Sequence, residues 1–186
     1  MPSANPTRRR PEFTRAALLE AARLEFEDPG CDATHTNRIA ARAGFAPQTF
    51  YRHFKDKPAI FLAVYQLWIE EELGLLDGVE DAGSAAHVLI RSHRDSLNFR
   101  RALRILSLTD AAVRAARAES RRRQIERLRV RFPHLAGRGF AGLLADLLTL
   151  ERLSDACAEG EFSDMGVSEE TAADELADAI RRLFRT

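Results

Sequence analysis

The fold of this chain is decided by residues 34–57, THTNRIAARAGFAPQTFYRHFKDK. Ile39 gives a first short helix an apolar face, and Gly44 ends that helix because glycine adopts a sharp turn at little cost. Pro47 suits the first position of a second short helix, on which Phe50 would pack inward. The stretch therefore predicts two short helices joined by a tight turn, which is a helix-turn-helix motif.

The motif is locally basic, although the chain as a whole is neutral with 28 Lys and Arg against 28 Asp and Glu. Residues 35–57 contain one acidic residue, Asp56, against five basic ones: Arg38, Arg42, Arg52, Lys55 and Lys57. A local excess of positive charge attracts a phosphate backbone. Polar side chains on the second helix of such a motif can enter a major groove, so the motif predicts binding to double-stranded DNA.

The remainder of the chain predicts an all-α protein. Apolar residues recur at helical spacing, for example through residues 173–184, and the alternation typical of strands is absent from the sequence. We expect a disordered basic tail at residues 1–11, a helix-turn-helix domain at 12–58 and a larger helical domain at 59–186. The Arg8–Arg10 run in the tail is either idle or an arm that follows a groove.

The N-terminal residues closely resemble the TetR family of transcriptional repressors. The matching residues keep the order and spacing of that family: Thr34, Ile39, Ala40, Ala43, Gly44, Thr49, Tyr51, His53, Phe54 and Lys57. The resemblance covers residues 13–68 and is only architectural beyond Trp68. It implies a DNA-binding regulator with an N-terminal three-helix domain and a C-terminal helical domain for ligand binding and dimerisation.

The resemblance implies roles for several side chains of the motif. Those expected to contact phosphates are Thr36, Thr49, Tyr51, His53 and Lys57. Gln48 and Thr49 are candidates for reading bases, because Gln can pair with adenine and Thr can touch a thymine methyl group. Arg38 and Arg52 are further candidates for contact with DNA. Phe45 either packs inward or touches sugars and methyl groups, and His53 could instead be a solvated surface residue.

This sequence departs from the family at two positions beside the second helix of the motif. The family usually has Ser where Ala46 stands, so we expect the helix to lack a side-chain cap, which costs about 1 kcal/mol. Pro47 offsets part of that loss. The family often has Gly where Gln48 stands, and this change leaves the operator sequence open.

The C-terminal residues predict a homodimer. The segment from Phe140 is a long helix with leucines on more than one face, so one face can serve the core and another a partner helix. With the last helix it resembles the family's four-helix dimer interface, here comprising Phe140, Leu143, Leu144, Leu147, Leu148, Leu176 and Ile180. A dimer also suits a palindromic operator, since two recognition helices must reach major grooves about 34 Å apart.

The resemblance also implies a ligand pocket among the helices between residues 84 and 132. Its candidate lining residues are His87, His93, Leu97 and Asn98, although each alone is more often a surface or core residue. An unknown small molecule that favours one spacing of the two DNA-binding heads would release the repressor from its operator. The alternative is a structural or occlusion protein of the same fold that has no inducer.

Other classes of function find no support in the sequence. It has no phosphate-binding glycine loop, metal-ligand cluster or nucleophile–base pair, so we expect no enzyme, cofactor or metal. Cys31 and Cys157 are expected to be reduced thiols, and no apolar run has the length of a membrane span, so we expect a cytoplasmic protein. The arginine-rich residues 114–131 predict a solvated helix with ion pairs to Glu119 and Glu126.

Overall fold

The computed structural model describes residues 6–184, with side chains from residue 11 onward. Within this range the regular elements are all helices, as the sequence predicts. The α-helices are α1 (Pro6–Glu25), α2 (Thr36–Arg42), α3 (Pro47–Tyr51), α4 (Lys57–Asp77), α5 (Ala82–Asp95), α6 (Leu97–Thr109), α7 (Ala111–Arg131), α8 (Phe140–Glu159), α9 (Glu161–Asp164) and α10 (Glu169–Phe184). Among the described helices, none combines the length and the hydrophobicity of a transmembrane span.

The described residues form two compact units. The first contains the chain up to Trp68 together with Asn98–Leu106, and the second contains Ile69–Leu97 and the chain from Ser107 onward. Helices α4 and α6 therefore each contribute residues to both units. Residues 1–5 of the expected disordered tail lie outside the described residues, as do the side chains of the Arg8–Arg10 run, and α1 begins at Pro6.

Aromatic side chains build the core of the first unit. Phe26 follows α1, Phe61 lies on α4 and Phe99 lies on α6, with ring centroids 5.2 Å apart for Phe26 and Phe61 and 4.7 Å apart for Phe61 and Phe99. Ile39 of α2 and Phe50 of α3 are completely buried in the same unit. The two short helices of the motif are thus held by apolar contacts on their inner faces.

Glu27 explains why the start of α6 belongs to the first unit. Its carboxylate accepts hydrogen bonds from the backbone N–H groups of Asn98, at 3.0 Å, and Phe99, at 3.1 Å. The side-chain amide of Asn98 donates to the backbone carbonyl of Glu27 at 2.9 Å. Helix N-termini leave unpaired N–H groups, and a carboxylate from another element satisfies them here.

Helices α5, α7, α8 and α10 build the core of the second unit. One cluster joins α5, α8 and α10 through Ala86, Cys157, Ala172, Leu176, Ala177 and Ile180. A second cluster includes Ile125, Leu135, Leu143, Leu147 and Leu183. The leucines of α8 therefore divide between the core and the surface, because the helix has apolar residues on more than one face.

Ion pairs cover the arginine-rich helix α7. Arg122 pairs with Glu119 at 3.4 Å and Arg129 pairs with Glu126 at 3.0 Å, so both predicted pairs are present. Arg121 also pairs with Glu151 of α8 at 2.5 Å. Much of the positive charge of α7 is therefore balanced within the second unit.

Candidate nucleic-acid interface

The turn between α2 and α3 has the geometry that the sequence predicts. Gly44 has φ of +78°, in the left-handed region where glycine is favoured. The N–H of Phe45 donates to the carbonyl of Ala40 at 2.9 Å, which closes the turn. Helix α3 begins at Pro47, and Ala46 before it makes no side-chain capping bond, so the expected missing cap is confirmed.

Helix α3 has one apolar face and one polar face. Phe50 is completely buried and the nearby Phe54 is 6% exposed, so both belong to the core. Gln48, Tyr51 and Arg52 are exposed. Of the other candidates for DNA contact, the half-buried ones are Thr36, Phe45, Thr49, His53 and Lys57. The exposed polar residues thus lie opposite the face of α3 that packs into the core.

A hydrogen bond joins two of the side chains expected to contact phosphates. The hydroxyl oxygens of Thr36 on α2 and Tyr51 on α3 lie 2.9 Å apart. The Tyr51 ring also packs edge-on against Phe50, with centroids 5.3 Å apart. The bond fixes the position of the Tyr51 hydroxyl, so these two groups form one polar patch across both helices.

Arg38 has an internal partner that the sequence does not reveal. Its Nε donates to the carboxylate of Glu25, at 2.8 Å, and Arg42 Nε donates to the other carboxylate oxygen at 2.6 Å. Burial of Glu25 opposes ionisation, but the hydrogen bonds from the two arginines prevail and lower the pKa of this carboxyl. Arg38 is therefore an exposed arginine anchored at its Nε atom.

Lys57 also has internal partners. Its Nζ donates to the backbone carbonyls of Cys31, at 2.9 Å, and Thr34, at 3.0 Å. These carbonyls belong to the segment that connects α1 to α2. The ammonium group expected to contact a phosphate thus ties the start of α4 to that segment.

The candidate ligand residues lie in different surroundings. His87 is exposed, Leu97 is half-buried, and Asn98 is exposed and bonded to Glu27 as described above. His93 is 2% exposed, and its ring nitrogens face Asp155 at 2.9 Å and Glu72 at 3.4 Å. His93 is therefore a core histidine held between two carboxylates.

An open cleft of about 260 Å³ lies elsewhere in the second unit. Its lining residues are Arg138, Asp146, Thr149, Leu150, Ala179 and Arg182. None of the candidate ligand residues lines this cleft. The cleft lies between α8 and α10, outside the residue range in which the sequence places a pocket.

The residues expected at a dimer interface separate into two groups. Leu143, Leu147, Leu176 and Ile180 are between 0% and 9% exposed, so they are core residues of the single chain and offer no surface to a partner. Phe140 and Leu148 are 40% and 41% exposed, and Leu144 is half-buried. The expected interface is thereby reduced to the outer face of α8, which carries these three residues.

Comparison with known proteins gives sequence matches that cover part of the chain. Residues 18–64 match the sequence model described as bacterial regulatory proteins, tetR family. The HTH-type transcriptional activator FasR of Mycolicibacterium smegmatis is 38% identical over 68 residues, which are 37% of this chain and 30% of that protein. The HTH-type transcriptional regulator AcrR of Shigella flexneri is 32% identical over 74 residues, 40% of this chain and 34% of that protein. The chain thus matches about a third of the length of these relatives.

Solved structures match along nearly the whole chain. A proposed TetR-family regulator from Rhodococcus sp. superposes with a TM-score of 0.71 at 18% identity, over 94% of this chain and 100% of that one. The fatty acid degradation regulator FadR of Bacillus halodurans gives 0.61 at 12% identity, over 98% and 97%. A proposed regulator from Saccharomonospora viridis, solved in complex with choline, gives 0.63 at 18% identity, over 90% and 95%. These likenesses concern the fold.

Proposed function

We propose that the protein is a DNA-binding transcriptional regulator, because its residues 18–64 match the model of the tetR family of bacterial regulatory proteins. The observation that carries the proposal is that helix α3 has one buried apolar face and one exposed polar face. Phe50 anchors it in the core, while Gln48, Tyr51 and Arg52 are exposed on its other side. Amide, hydroxyl and guanidinium groups are the donors and acceptors that read grooves and backbones of duplex DNA.

In this proposal the regulator acts as a homodimer on a palindromic operator. Two copies of α3 can reach successive major grooves only if the chains pair with two-fold symmetry. The outer face of α8 supports such pairing, because Phe140 and Leu148 are large apolar residues exposed beside the small Ala141 and Ala145. Small residues between large ones allow helices of two copies to approach closely.

We further propose that the regulator is a repressor released by a small molecule. The support comes from fold relatives, one of which was solved with choline bound. A curated relative is an activator, so the direction of regulation needs its own test. The alternative is an occlusion protein without an inducer.

The DNA-binding proposal is tested by selecting bound sequences from a random duplex pool. Tyr51→Ala should then weaken binding to the selected operator and to unrelated duplex by the same factor, whereas Gln48→Ala should change which sequences are selected. Gln66→Ala is the matched control, because Gln66 is an exposed glutamine on α4. No enrichment from the pool, or a Tyr51→Ala variant with unchanged affinity, would contradict the proposed interface.

Thermal unfolding and operator affinity, both measured with candidate ligands beginning with choline, distinguish a ligand-released repressor from an occlusion protein. A ligand that raises the unfolding temperature and lowers operator affinity supports a released repressor. The first effect shows that the ligand binds the folded protein, and the second that it prefers a conformation with low operator affinity. A ligand that raises operator affinity instead identifies a co-repressor or activator mode. Operator affinity that no stabilising ligand alters supports the occlusion protein.

A further inference from the structure

Glu25 holds two arginines of α2 beside each other. Its side chain is 4% exposed, and its two oxygens accept hydrogen bonds from different cations, Arg38 and Arg42. The arginines are four residues apart on one helix, so without the carboxylate between them their charges would repel. The hydroxyl of Thr34 donates to the backbone carbonyl of Glu25 at 2.8 Å and fixes the end of α1 at this point.

Both arginines keep their outer edges available. Each uses its Nε atom toward Glu25, and no Nη atom of either arginine has a hydrogen-bond partner among the described residues. The side chains are 46% and 41% exposed for Arg38 and Arg42. Because a guanidinium carries four further N–H donors on its Nη atoms, each arginine presents a pre-oriented fork to solvent.

The cluster also keeps a net positive charge. Two guanidiniums share one carboxylate, which leaves one unit of positive charge while Glu25 is ionised. Planar guanidinium forks bind phosphate oxygens in a bidentate manner, and fixing their orientation beforehand reduces the entropy lost on binding. The cluster therefore has the charge, the donors and the fixed geometry that a phosphate group requires.

We infer that Arg42 together with Arg38 contacts a backbone phosphate of duplex DNA, and that Glu25 is the positioning residue for both. The inference rests on the proposed function, and it adds Arg42 and Glu25 to the interface. Arg42 is the last residue of α2, and the helix it ends packs against α3 in the same unit. A phosphate bound here would fix the register of α2 on the backbone while α3 enters the groove.

The first test is Arg42→Ala in the full chain, with affinity measured for the selected operator and for an unrelated duplex over a range of salt concentrations. Loss of one phosphate contact should lower affinity for both duplexes about fivefold at physiological salt and reduce the salt slope by about 0.9. Arg123→Ala is the charge-matched control, because Arg123 is an exposed arginine on α7 of the second unit. The control should leave the slope unchanged.

The second test asks whether Glu25→Gln raises or lowers the affinity for DNA. Removing a negative charge near DNA should strengthen binding if only charge matters. If Glu25 positions the arginines, binding should weaken several-fold. Tighter binding by Glu25→Gln, together with wild-type binding by Arg42→Ala, would show that the carboxylate withholds the arginines from DNA, and the inference would be wrong.

Arg42→Lys keeps the test decisive if Glu25→Gln does not fold. A lysine has one charged nitrogen, which cannot hold the carboxylate and span a phosphate in the manner of a guanidinium. We therefore expect Arg42→Lys to bind close to the level of Arg42→Ala, and full wild-type affinity would refute the positioning role. Wild-type protein that binds no duplex contradicts the proposed function itself, whereas wild-type binding with an unchanged Arg42→Ala slope contradicts only this inference.

Discussion

Replacing Lys57 by Met separates two roles that this residue could have. Sequence resemblance implies a phosphate contact, whereas the structure shows its Nζ donating to the carbonyls of Cys31 and Thr34. Methionine keeps the length and apolar stem of lysine but removes the charge and the donors. The substitution therefore removes the tether between α4 and the segment before α2, with little change in packing.

The size of the effect follows from the two hydrogen bonds that are lost. Hydrogen bonds to charged groups contribute about 1.5–3 kcal/mol each to stability. Lys57 is half-buried, so water can partly satisfy the two carbonyls in the variant. We therefore expect Lys57→Met to lower the free energy of unfolding by about 2 kcal/mol in total, within the range of one to two such bonds.

Urea unfolding followed by circular dichroism measures this change. Thermal unfolding gives a second measurement, because a loss of about 2 kcal/mol lowers the unfolding temperature of a chain of this size by about 4–8 °C. Lys55→Met is the control, because Lys55 is an exposed lysine of the same motif. It removes the same charge and should leave stability within about 0.5 kcal/mol of wild type.

Binding measured on the same variants completes the test. If Lys57 serves only as a tether, Lys57→Met should keep the wild-type salt slope once enough protein is folded. A variant with wild-type stability and a salt slope reduced by about 0.9 would refute the structural role and restore the phosphate contact.

Two other substitutions test the burial and the charges described above. Leu148→Glu on the outer face of α8 should give folded monomers with poor operator affinity, and sedimentation of this variant as a dimer would reject that interface. Leu147→Glu, at a core position, should instead lower the free energy of unfolding by at least about 3 kcal/mol. The folded-state pKa of Glu25 is lowered from its ordinary value of 4.5, so its stabilising contribution is present above pH 4.5 and is lost as the pH falls through the folded-state pKa. Glu25→Gln should thus be less stable than wild type at neutral pH, and the difference should shrink in acid; a difference independent of pH would contradict the ionised pair.

Local sequence signals are sufficient to predict the helix-turn-helix. Gly44 takes the positive φ that its place in the turn demands, and Pro47 begins α3. Asp56 caps α4 through a bond from the N–H of Ala59, at 2.8 Å, as the order of residues indicates. Each of these features depends on neighbours within a few positions, so the sequence pattern contains the necessary information.

Contacts between distant residues leave no comparable signal. Glu27 caps α6 at Asn98, and nothing near Glu27 in the sequence indicates that partner. The same holds for the bonds from Lys57 to Cys31. The leucines of α8 show a related limit, because an apolar pattern on more than one face cannot tell the core-facing Leu147 from the exposed Leu148.

A count of basic residues in the motif overstates the charge that it can offer to DNA. Glu25 offsets one of the two positive charges of Arg38 and Arg42, and the half-buried Lys57 donates to backbone carbonyls. Electrostatic attraction depends on accessible charge, so the affinity for unrelated duplex should be modest for so basic a motif. We therefore expect discrimination between sequences to depend mainly on neutral groups of α3, above all Gln48, whose amide can distinguish base edges without adding to non-specific binding.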